Sequence, residues 1–457
     1  MSGNLNNLKG KKILIVGLGK SGTATVQAML DMGAVVSVQD SRKENEFDAN
    51  FLYYLREKGV TCYFDRLPGD MGEFDMMILS PGVSPELPFV QEGRDKGVEI
   101  TGELEIAFRI SKGTFIAITG TNGKTTTTTL TGEIFKASGR KTNVVGNIGV
   151  AAISAAASSD EDTWLVTETS SFQLETTRYF KPAVSAILNL TPDHLNRHHT
   201  MEAYGAAKAK IFANQREDGY LIVNYDDKVC YALSKDAKCR IIPFSIREEL
   251  DRGGMLKDGR LIVRDGGKDV ELCEKSDIRI IGDHNVENVL AAALICYYAG
   301  ISPDVIREAI RGFNGVEHRI EYCGTIDGVK YYNDSKGTNT DATITAIKAF
   351  DGNVILIAGG DAKGQVFDDL IKAFNGKIKK LLLLGRDRGF IKEAADRCGF
   401  TDYMECKDIP DCVRTAASIA EEGDTVLLSP ACASWDMYNN FEQRGRHFKE
   451  CVEALEK

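Results

Sequence analysis

No apolar run in the chain approaches the roughly 18 residues that a membrane-crossing helix needs. The opening stretch, Met1-Ser-Gly-Asn-Leu-Asn-Asn-Leu-Lys9, lacks the apolar core of a secretory signal. A cytoplasmic protein with no membrane partner is therefore expected. The 11 cysteines form no Cys-x-x-Cys pair. An odd number without metal-ligand spacing argues against a disulfide framework and points to reduced, mostly buried thiols. There is no excess of positive charge either: 56 Lys and Arg face 66 Asp and Glu, a net charge of −10. That disfavours a general nucleic-acid or anionic-membrane binder and leaves any anionic small molecule to local basic pockets. Repeats and low-complexity tracts are absent, apart from the threonine run Thr125–Thr129. What is left is a chain of 457 residues, 43% hydrophobic and 27% charged, with room for about three ordinary domains.

The stretch with the most chemistry in it is Ile116-Ala-Ile-Thr-Gly-Thr-Asn-Gly-Lys-Thr-Thr126. Its apolar start predicts a buried strand, Gly120 and Gly123 a tight loop, and Lys124-Thr125 the start of a helix running to about Ala137. Strand, glycine loop and helix start together make a phosphate cradle, because backbone N–H groups and the helix dipole face the anion. Lys124 reaches terminal phosphates in such loops and the hydroxyl of Thr125 reaches Mg²⁺. The loop is a shortened variant, with Ile118 where the usual first glycine stands. The threonines that follow are poor helix formers, so tertiary contacts must hold that helix.

Upstream, Lys11–Val16 reads as a strand leading into Gly17-x-Gly19-x-x-Gly22, a helix to about Met32, and a second strand, Val35–Asp40, ending in an acid. The spacing is that of the dinucleotide fingerprint, with its acid about 20 residues beyond the glycines. Taken alone it suggests NAD, although any diphosphate suits such a helix end. Phe74–Val83 is a further buried strand whose end carries Pro81-Gly82. The first domain is expected to close near Gly102, with a helix over Glu103–Lys112 leading onward.

Downstream, Asp162–Glu168 is an apolar strand ending in a carboxylate, the type of acid that holds Mg²⁺ beside a phosphate loop. Gly146-Asn147-Ile-Gly149 is a loop before it. After the strand Ala183–Leu190 come His194, His198 and His199, half of the 6 histidines. They lack the partners a zinc site needs, and His194 joining Glu168 at a nucleotide metal is the more economical reading. On the helical stretch Tyr204–Phe212, physics alone does not choose between Lys208 and Lys210. Asn214–Arg279 reads as more sheet in the same domain. Gly282-Asp-His284-Asn285 opens an alanine-rich helix to Tyr298, on which Asn285 and Asn288 share a face. Gly312–Val316 reads as a linker. Beyond it, strands and helices alternate again, with loops Asn333–Asn339, Gly359–Gly364 and Ser429–Ser434 at strand ends, and with Arg319, Lys336, Lys363 and Arg444 expected to make those loops basic.

The predicted class is α/β in three domains: a Rossmann-like domain over 1–102, a central P-loop ATPase domain with a mostly parallel sheet over 103–314, and a second Rossmann-like domain over 315–457. An NAD-dependent oxidoreductase leaves the phosphate loop and Glu168 without a task. A non-enzymatic ATP-binding regulator has no use for the loop Ser429–Ser434.

Several motifs together resemble one family. Gly120-Thr-Asn-Gly-Lys-Thr, Glu168-Thr-Ser-Ser-Phe-Gln, Asp193-His194 and His284-Asn285 are similar to the ATP-dependent Mur ligases of bacterial cell-wall synthesis, which have folylpolyglutamate synthases as relatives. The N-terminal glycine motif, Asn333-Asp-Ser-Lys-Gly-Thr-Asn339 and the long run Ser429–Gly445 resemble the members that add D-glutamate. Two small departures, Gly337 where alanine is common and Trp435 where an aliphatic is common, are not expected to touch the chemistry.

The resemblance implies a ligase that adds D-glutamate to UDP-N-acetylmuramoyl-L-alanine through an acyl phosphate, with ATP and Mg²⁺. The alternative is a sister ligase adding another amino acid. The resemblance also implies the roles of individual residues. Lys124, His194 and Lys208 are catalytic. Gly120, Thr121, Asn122, Gly123, Lys124, Thr125, Thr126, Asn285, Asn288, Arg319 and Asp334 hold ATP. Ser21, Asp40, Ser41, Arg42, Gly82, Asn147 and His194 hold the uridine substrate. Thr338, Lys363, Ser434 and Phe441 hold the amino acid. Thr125, Glu168, His194 and a carbamylated Lys208 hold metal. The partners it implies are small molecules alone, and the chain is expected to act as a monomer.

Overall fold

The computed structural model describes residues 8–456, so most of the stretch read for a signal sequence lies outside the described residues. The chain forms two compact units. One runs up to Asp277 and includes Glu287–Arg311; the other holds Ile278–Val286 and the chain from Gly312 onward.

The first unit contains two sheets. The smaller has the spatial order Thr61–Phe64, Val35–Asp40, Lys12–Val16, Met76–Leu79, Glu99–Gly102, every pair parallel. Its middle strand is covered on both faces and reads as a continuous apolar run, as buried parallel strands do. The chain moves outward from Lys12–Val16 first one way and then the other, which leaves a crevice at its carboxyl end.

The larger sheet has nine strands. Seven run parallel, from Gly253–Lys257 through Arg240–Ser245, Tyr220–Asn224, Val184–Ile187, Thr114–Thr119 and Trp164–Glu168 to Thr142–Gly146. The other end is an antiparallel meander, Gly253–Lys257, Arg260–Asp265 and Lys268–Glu274, with a register shift at Leu261/Ile262. The threonine-rich helix Lys124–Ala137 buries Thr125 to Thr128, Leu130 and Thr131. Its stability comes from that burial, as its composition requires. Glu103–Ile110 packs on Ala152–Ala157, which also receives Lys20–Asp31. One apolar cluster therefore runs from Ile13 and Val38 through Phe115 to Leu221.

The second unit is a six-stranded sheet ordered Glu321–Ile326, Val329–Asn333, Thr425–Leu428, Val354–Gly359, Ile378–Leu384, Tyr403–Glu405. Only the first pair is antiparallel. Thr340–Lys348, Asp368–Lys372 and Arg388–Arg397 cover one face; Ile409–Ile419 and Phe441–Glu453 cover the other. The strands alternate with helices on both faces, and the carboxyl ends of Val329–Asn333, Val354–Gly359 and Thr425–Leu428 lead into the three polar loops singled out above. The helix Asp283–Tyr298 begins in this unit and ends in the first.

Candidate active site

The phosphate loop leaves the strand Thr114–Thr119 and enters its helix at Gly123, which has φ +81°. A Cβ there would lie 2.1 Å from Asn288 Oδ1, so glycine is needed both for the backbone angle and for the close approach of Asn288. Thr127 Oγ1 also donates to Asn288, at 3.5 Å. Asn122 is pinned from the next strand end: its N–H donates to Asn189 Oδ1 at 2.8 Å, and Asn189 Nδ2 donates back to the Asn122 carbonyl at 3.1 Å. Thr121 Oγ1 donates to the Thr191 carbonyl and lies 3.3 Å from the Tyr204 hydroxyl.

Two lysines converge on this loop. Lys124 Nζ folds back onto the carbonyls of Gly120, at 2.9 Å, and Thr121, at 2.7 Å. Lys208 Nζ donates to the same Gly120 carbonyl at 2.9 Å and to Thr119 Oγ1 at 3.5 Å. Lys208 is 1% exposed, and its ammonium lies 4.6 Å from the centre of the Tyr204 ring. Burial, with the neighbouring Lys124 cation second, brings its amine down to about 7 from the usual 10.5. Lys210 turns away and donates to the Glu175 carbonyl. Of the two lysines that helical periodicity leaves open, Lys208 is the one at the phosphate loop.

Glu168 ends the strand beside the loop strand, in register with Ile118, and is buried. Its Oε1 accepts from Asn147 Nδ2 at 2.8 Å, while Oε2 is buried with no hydrogen-bond partner. Gly146 makes the close turn: a Cβ there would lie 2.3 Å from the Glu168 carbonyl. The three histidines part ways. His194, at φ +54°, stays half-exposed beside Asp193 and 4.7 Å from the Phe172 ring. His198 is buried between Ser171 and Glu175, with burial lowering its pKa. His199 faces Glu86 at the surface. A mononuclear site built on all three is not present among the described residues.

At the glycine motif of the small sheet, Gly22 allows the turn to close, since a Cβ there would lie 1.9 Å from the Gly17 carbonyl. Asp40 is buried and takes the Leu18 N–H on Oδ2 at 2.7 Å. Arg42 donates to both its oxygens, at 3.0 and 2.9 Å, and to the Leu18 carbonyl at 3.1 Å. Burial pushes this carboxyl up, but the Arg42 and Leu18 hydrogen bonds outweigh it and hold it below the usual range. Both oxygens of Asp40, expected to hold the uridine substrate, thus carry hydrogen bonds within the loop. Ser41 and Gly82 are exposed and Ser21 is half-buried on the loop side.

In the second unit, Asp334 is buried, accepts from Ser429 Oγ at 2.7 Å and from the Ile320 N–H at 3.3 Å, and is pushed by burial to about 6. Arg319 is half-buried next to Ile320. Asn285 Nδ2 donates to the Ile281 carbonyl, so the shared helical face expected for Asn285 and Asn288 serves two different tasks. Arg444 is not a loop cation. It lies in the helix Phe441–Glu453, is 2% exposed, and donates to Ser335 Oγ, the Ser335 carbonyl and the Cys432 carbonyl. Burial lowers it to about 10. Its task is to fix the loops that carry Thr338 and Ser434. Ser434 is buried, Thr338 and Phe441 are half-buried, and Lys363 is exposed. The two departures do touch these residues. A Cβ on Gly337 would lie 2.5 Å from Asp334 Oδ2 and 2.8 Å from Ser429 Oγ, and the Lys363 ammonium lies over the Trp435 ring.

Three family descriptions cover most of the chain: the MurD-like N-terminal domain of Mur ligases over 11–102, the Mur ligase middle domain over 118–296, and the Mur ligase glutamate ligase domain over 318–432. The UDP-N-acetylmuramoylalanine–D-glutamate ligase of Thermoanaerobacter sp. (strain X514) is 47% identical over 451 residues, 98% of this chain and 99% of the relative. The chain is a Mur ligase. The enzyme of the same name from Clostridioides difficile (strain 630) is 45% identical to this Mur ligase, over 98% of its length and 100% of the relative. Among solved structures, the UDP-N-acetylmuramate-alanine ligase of Thermotoga maritima has a TM-score of 0.58 at 18% identity, covering 97% of this chain and 99% of that one. A pseudomurein peptide ligase type C from Methanothermus fervidus has a TM-score of 0.57 at 17% identity, covering 98% and 100%. At such identity these two establish the three-domain α/β fold of this Mur ligase and nothing finer.

Proposed function

We propose that this Mur ligase joins D-glutamate to the L-alanyl carboxylate of UDP-N-acetylmuramoyl-L-alanine, converting ATP to ADP and phosphate, in the synthesis of peptidoglycan precursors. The observation that carries the reading is the convergence of Lys124 and Lys208 on the Gly120 carbonyl of a phosphate loop. The name shared by relatives 47% and 45% identical over nearly the whole chain supports the choice of amino acid.

A free carboxylate is a poor acyl donor. Its oxygen attacks the γ-phosphorus, the bond to the ADP oxygen breaks, and an acyl phosphate forms. The amine of D-glutamate then attacks the acyl carbon, loses a proton and expels phosphate. The protein's part is to position the reactants and neutralise charge. In this reading Gly120–Thr126 cradle the phosphates through backbone N–H groups, and Lys124 exchanges its carbonyl contacts for the terminal phosphates. Glu168 Oε2, buried and without a partner, fits a divalent cation, with Thr125, His194 and Lys208 completing the set. Mg²⁺ held there supplies charge neutralisation to the phosphates. An ammonium cannot serve as such a ligand, but a buried amine brought to about 7 can add CO₂, releasing a proton and becoming an anionic carbamate.

Residues 1–102 are assigned to the uridine diphosphate, with Ser21, Ser41, Arg42 and Gly82 facing it and Asp40 shaping the loop; Asn147 and His194 serve the reacting end. Residues 103–314 are assigned to ATP and 315–457 to the amino acid and ATP. Asn285, Asn288, Arg319 and Asp334 are assigned to the nucleotide. Thr338, Lys363, Ser434 and Phe441 are assigned to D-glutamate. Among the described residues no helix is long and apolar enough to cross a membrane; that the enzyme acts as a monomer on small molecules in the cytoplasm is part of the same proposal. The test is phosphate release with UDP-N-acetylmuramoyl-L-alanine against a panel of amino acids. D-glutamate is expected to be preferred; preferred turnover with lysine or a diamino acid moves the chain to a sister activity.

A further inference from the structure

The Trp435 indole is 65% exposed, although it directly follows the buried run Ser429–Ser434. The ring stands where the loop leaves the core, since Asp436–Asn440 after it are half-buried or exposed. Its neighbour is Lys363, whose ammonium lies 4.3 Å from the ring centroid.

The loops that carry the two residues are tied to each other by backbone, and the side chains then meet. Asp361 and Ala433 form an antiparallel bridge with reciprocal 2.9 Å hydrogen bonds, and Lys363 and Trp435 are each the second residue beyond it. The bridge depends on Gly360, where a Cβ would lie 2.3 Å from the Ala433 carbonyl. Lys363 itself takes φ +49°, the left-handed region, and its N–H donates to Asp361 Oδ1 at 3.1 Å. The backbone thus fixes where the lysine starts, and the indole face fixes where its charged end stays.

Free exposed lysines hold no single rotamer, and ordering one on binding is costly. Indole is the aromatic ring that attracts a cation best. We propose that Trp435 is a positioning residue for the amino-acid substrate: its ring holds the Lys363 ammonium ready for the side-chain carboxylate of D-glutamate. The ring attracts the cation without neutralising it, so the ammonium keeps its full charge for the incoming anion. The inference rests on the assignment of Lys363 to D-glutamate.

The experiment is steady-state kinetics on the full chain for Trp435→Leu, Trp435→Phe, Lys363→Met and the double variant Lys363→Met/Trp435→Leu, with KM measured for all three substrates. Trp435→Leu is expected to raise KM for D-glutamate on the order of fivefold, in line with an exposed cation–π pair. KM for ATP and for the uridine substrate should not move, and kcat should change little. Trp435→Phe should restore most of the loss. In the Lys363→Met background the leucine substitution should have no further effect. An unchanged KM for D-glutamate in Trp435→Leu, beside a raised one in Lys363→Met, overturns the positioning role and leaves the Lys363 assignment standing. A rise of equal size with and without Lys363 also overturns it, because the ring then acts through something else. An unchanged KM in Lys363→Met removes the assignment and the proposal together.

Discussion

Replacing Glu103 by glutamine should make the protein more stable at pH 8 and have little effect at pH 5. Glu103 starts the helix Glu103–Ile110 and is 2% exposed. One oxygen accepts the Ile153 N–H at 2.7 Å, at the start of the helix Ala152–Ala157, and the other has no hydrogen-bond partner. Burial outweighs that helix-end contact and raises the carboxyl from 4.5 to about 7. The folded chain therefore binds a proton at Glu103 more tightly than the unfolded chain does. Stability from this group is full below about pH 4.5 and is lost as pH rises to about 7. Each unit of pKa is worth about 1.4 kcal/mol, so the loss is on the order of 3 kcal/mol. Glutamine keeps the acceptor for Ile153 and cannot ionise. Thermal unfolding of the wild type and Glu103→Gln from pH 5 to pH 8 should show a difference in Tm that opens with rising pH, to several degrees at the top. A difference that stays flat across that range refutes the reasoning, because it means that Glu103 ionises as readily inside the fold as in the unfolded chain.

Lys124→Ala should abolish phosphate release while calorimetric binding of the uridine substrate survives, since the glycine motif lies on a different sheet; near-normal turnover would remove the phosphate-loop assignment. A uracil nucleotide should bind and raise Tm where NADH does not, and Arg42→Ala should weaken that binding by about an order of magnitude, because Arg42, proposed to meet the diphosphate, also holds Asp40; tight NAD binding alone reverses the reading. Lys208→Ala should be inactive, and intact protein supplied with bicarbonate and Mg²⁺ should show carbamate density on Lys208; bare lysine density under those conditions, or full activity in Lys208→Ala, sinks the carbamate.

Most of the fold is legible in the sequence because its strands are short apolar runs bounded by glycine and polar turns, and Val35–Asp40 and Asp283–Tyr298 fall where the pattern puts them. The sites are legible as far as local motifs reach. What the sequence cannot show is which way a side chain turns once distant loops meet. Asp40 at a strand end reads as free for the uridine substrate, yet the rotamer of Arg42 ties it to the Leu18 loop. Arg444 sits in the charged run Phe441-Glu-Gln-Arg-Gly-Arg446 and reads as one of the cations that make the strand-end loops basic. Its burial comes from carbonyls at Ser335 and Cys432 that are distant in sequence or on another element. Lys208 and Lys210 both read as helical, yet the helix ends at Ala209 and the two side chains go to Gly120 and Glu175 respectively. Gly337 and Trp435 look incidental as letters and acquire meaning from Asp334 and Lys363 beside them.

The meander at the end of the nine-stranded sheet has a consequence for how chains meet one another. Its last strand, Lys268–Glu274, is the outer edge, and an outer strand is a template on which another chain can grow. Here that edge carries Lys268, Asp269, Glu271 and Glu274, with Asp269 paired to Arg264 and Glu271 to Arg260 on the strand behind. A strand seeking to add on would have to strip water from these charges, and the register shift at Leu261/Ile262 bends the ladder it would have to match. On this side the sheet thus ends in a border that resists templated growth from one molecule to the next.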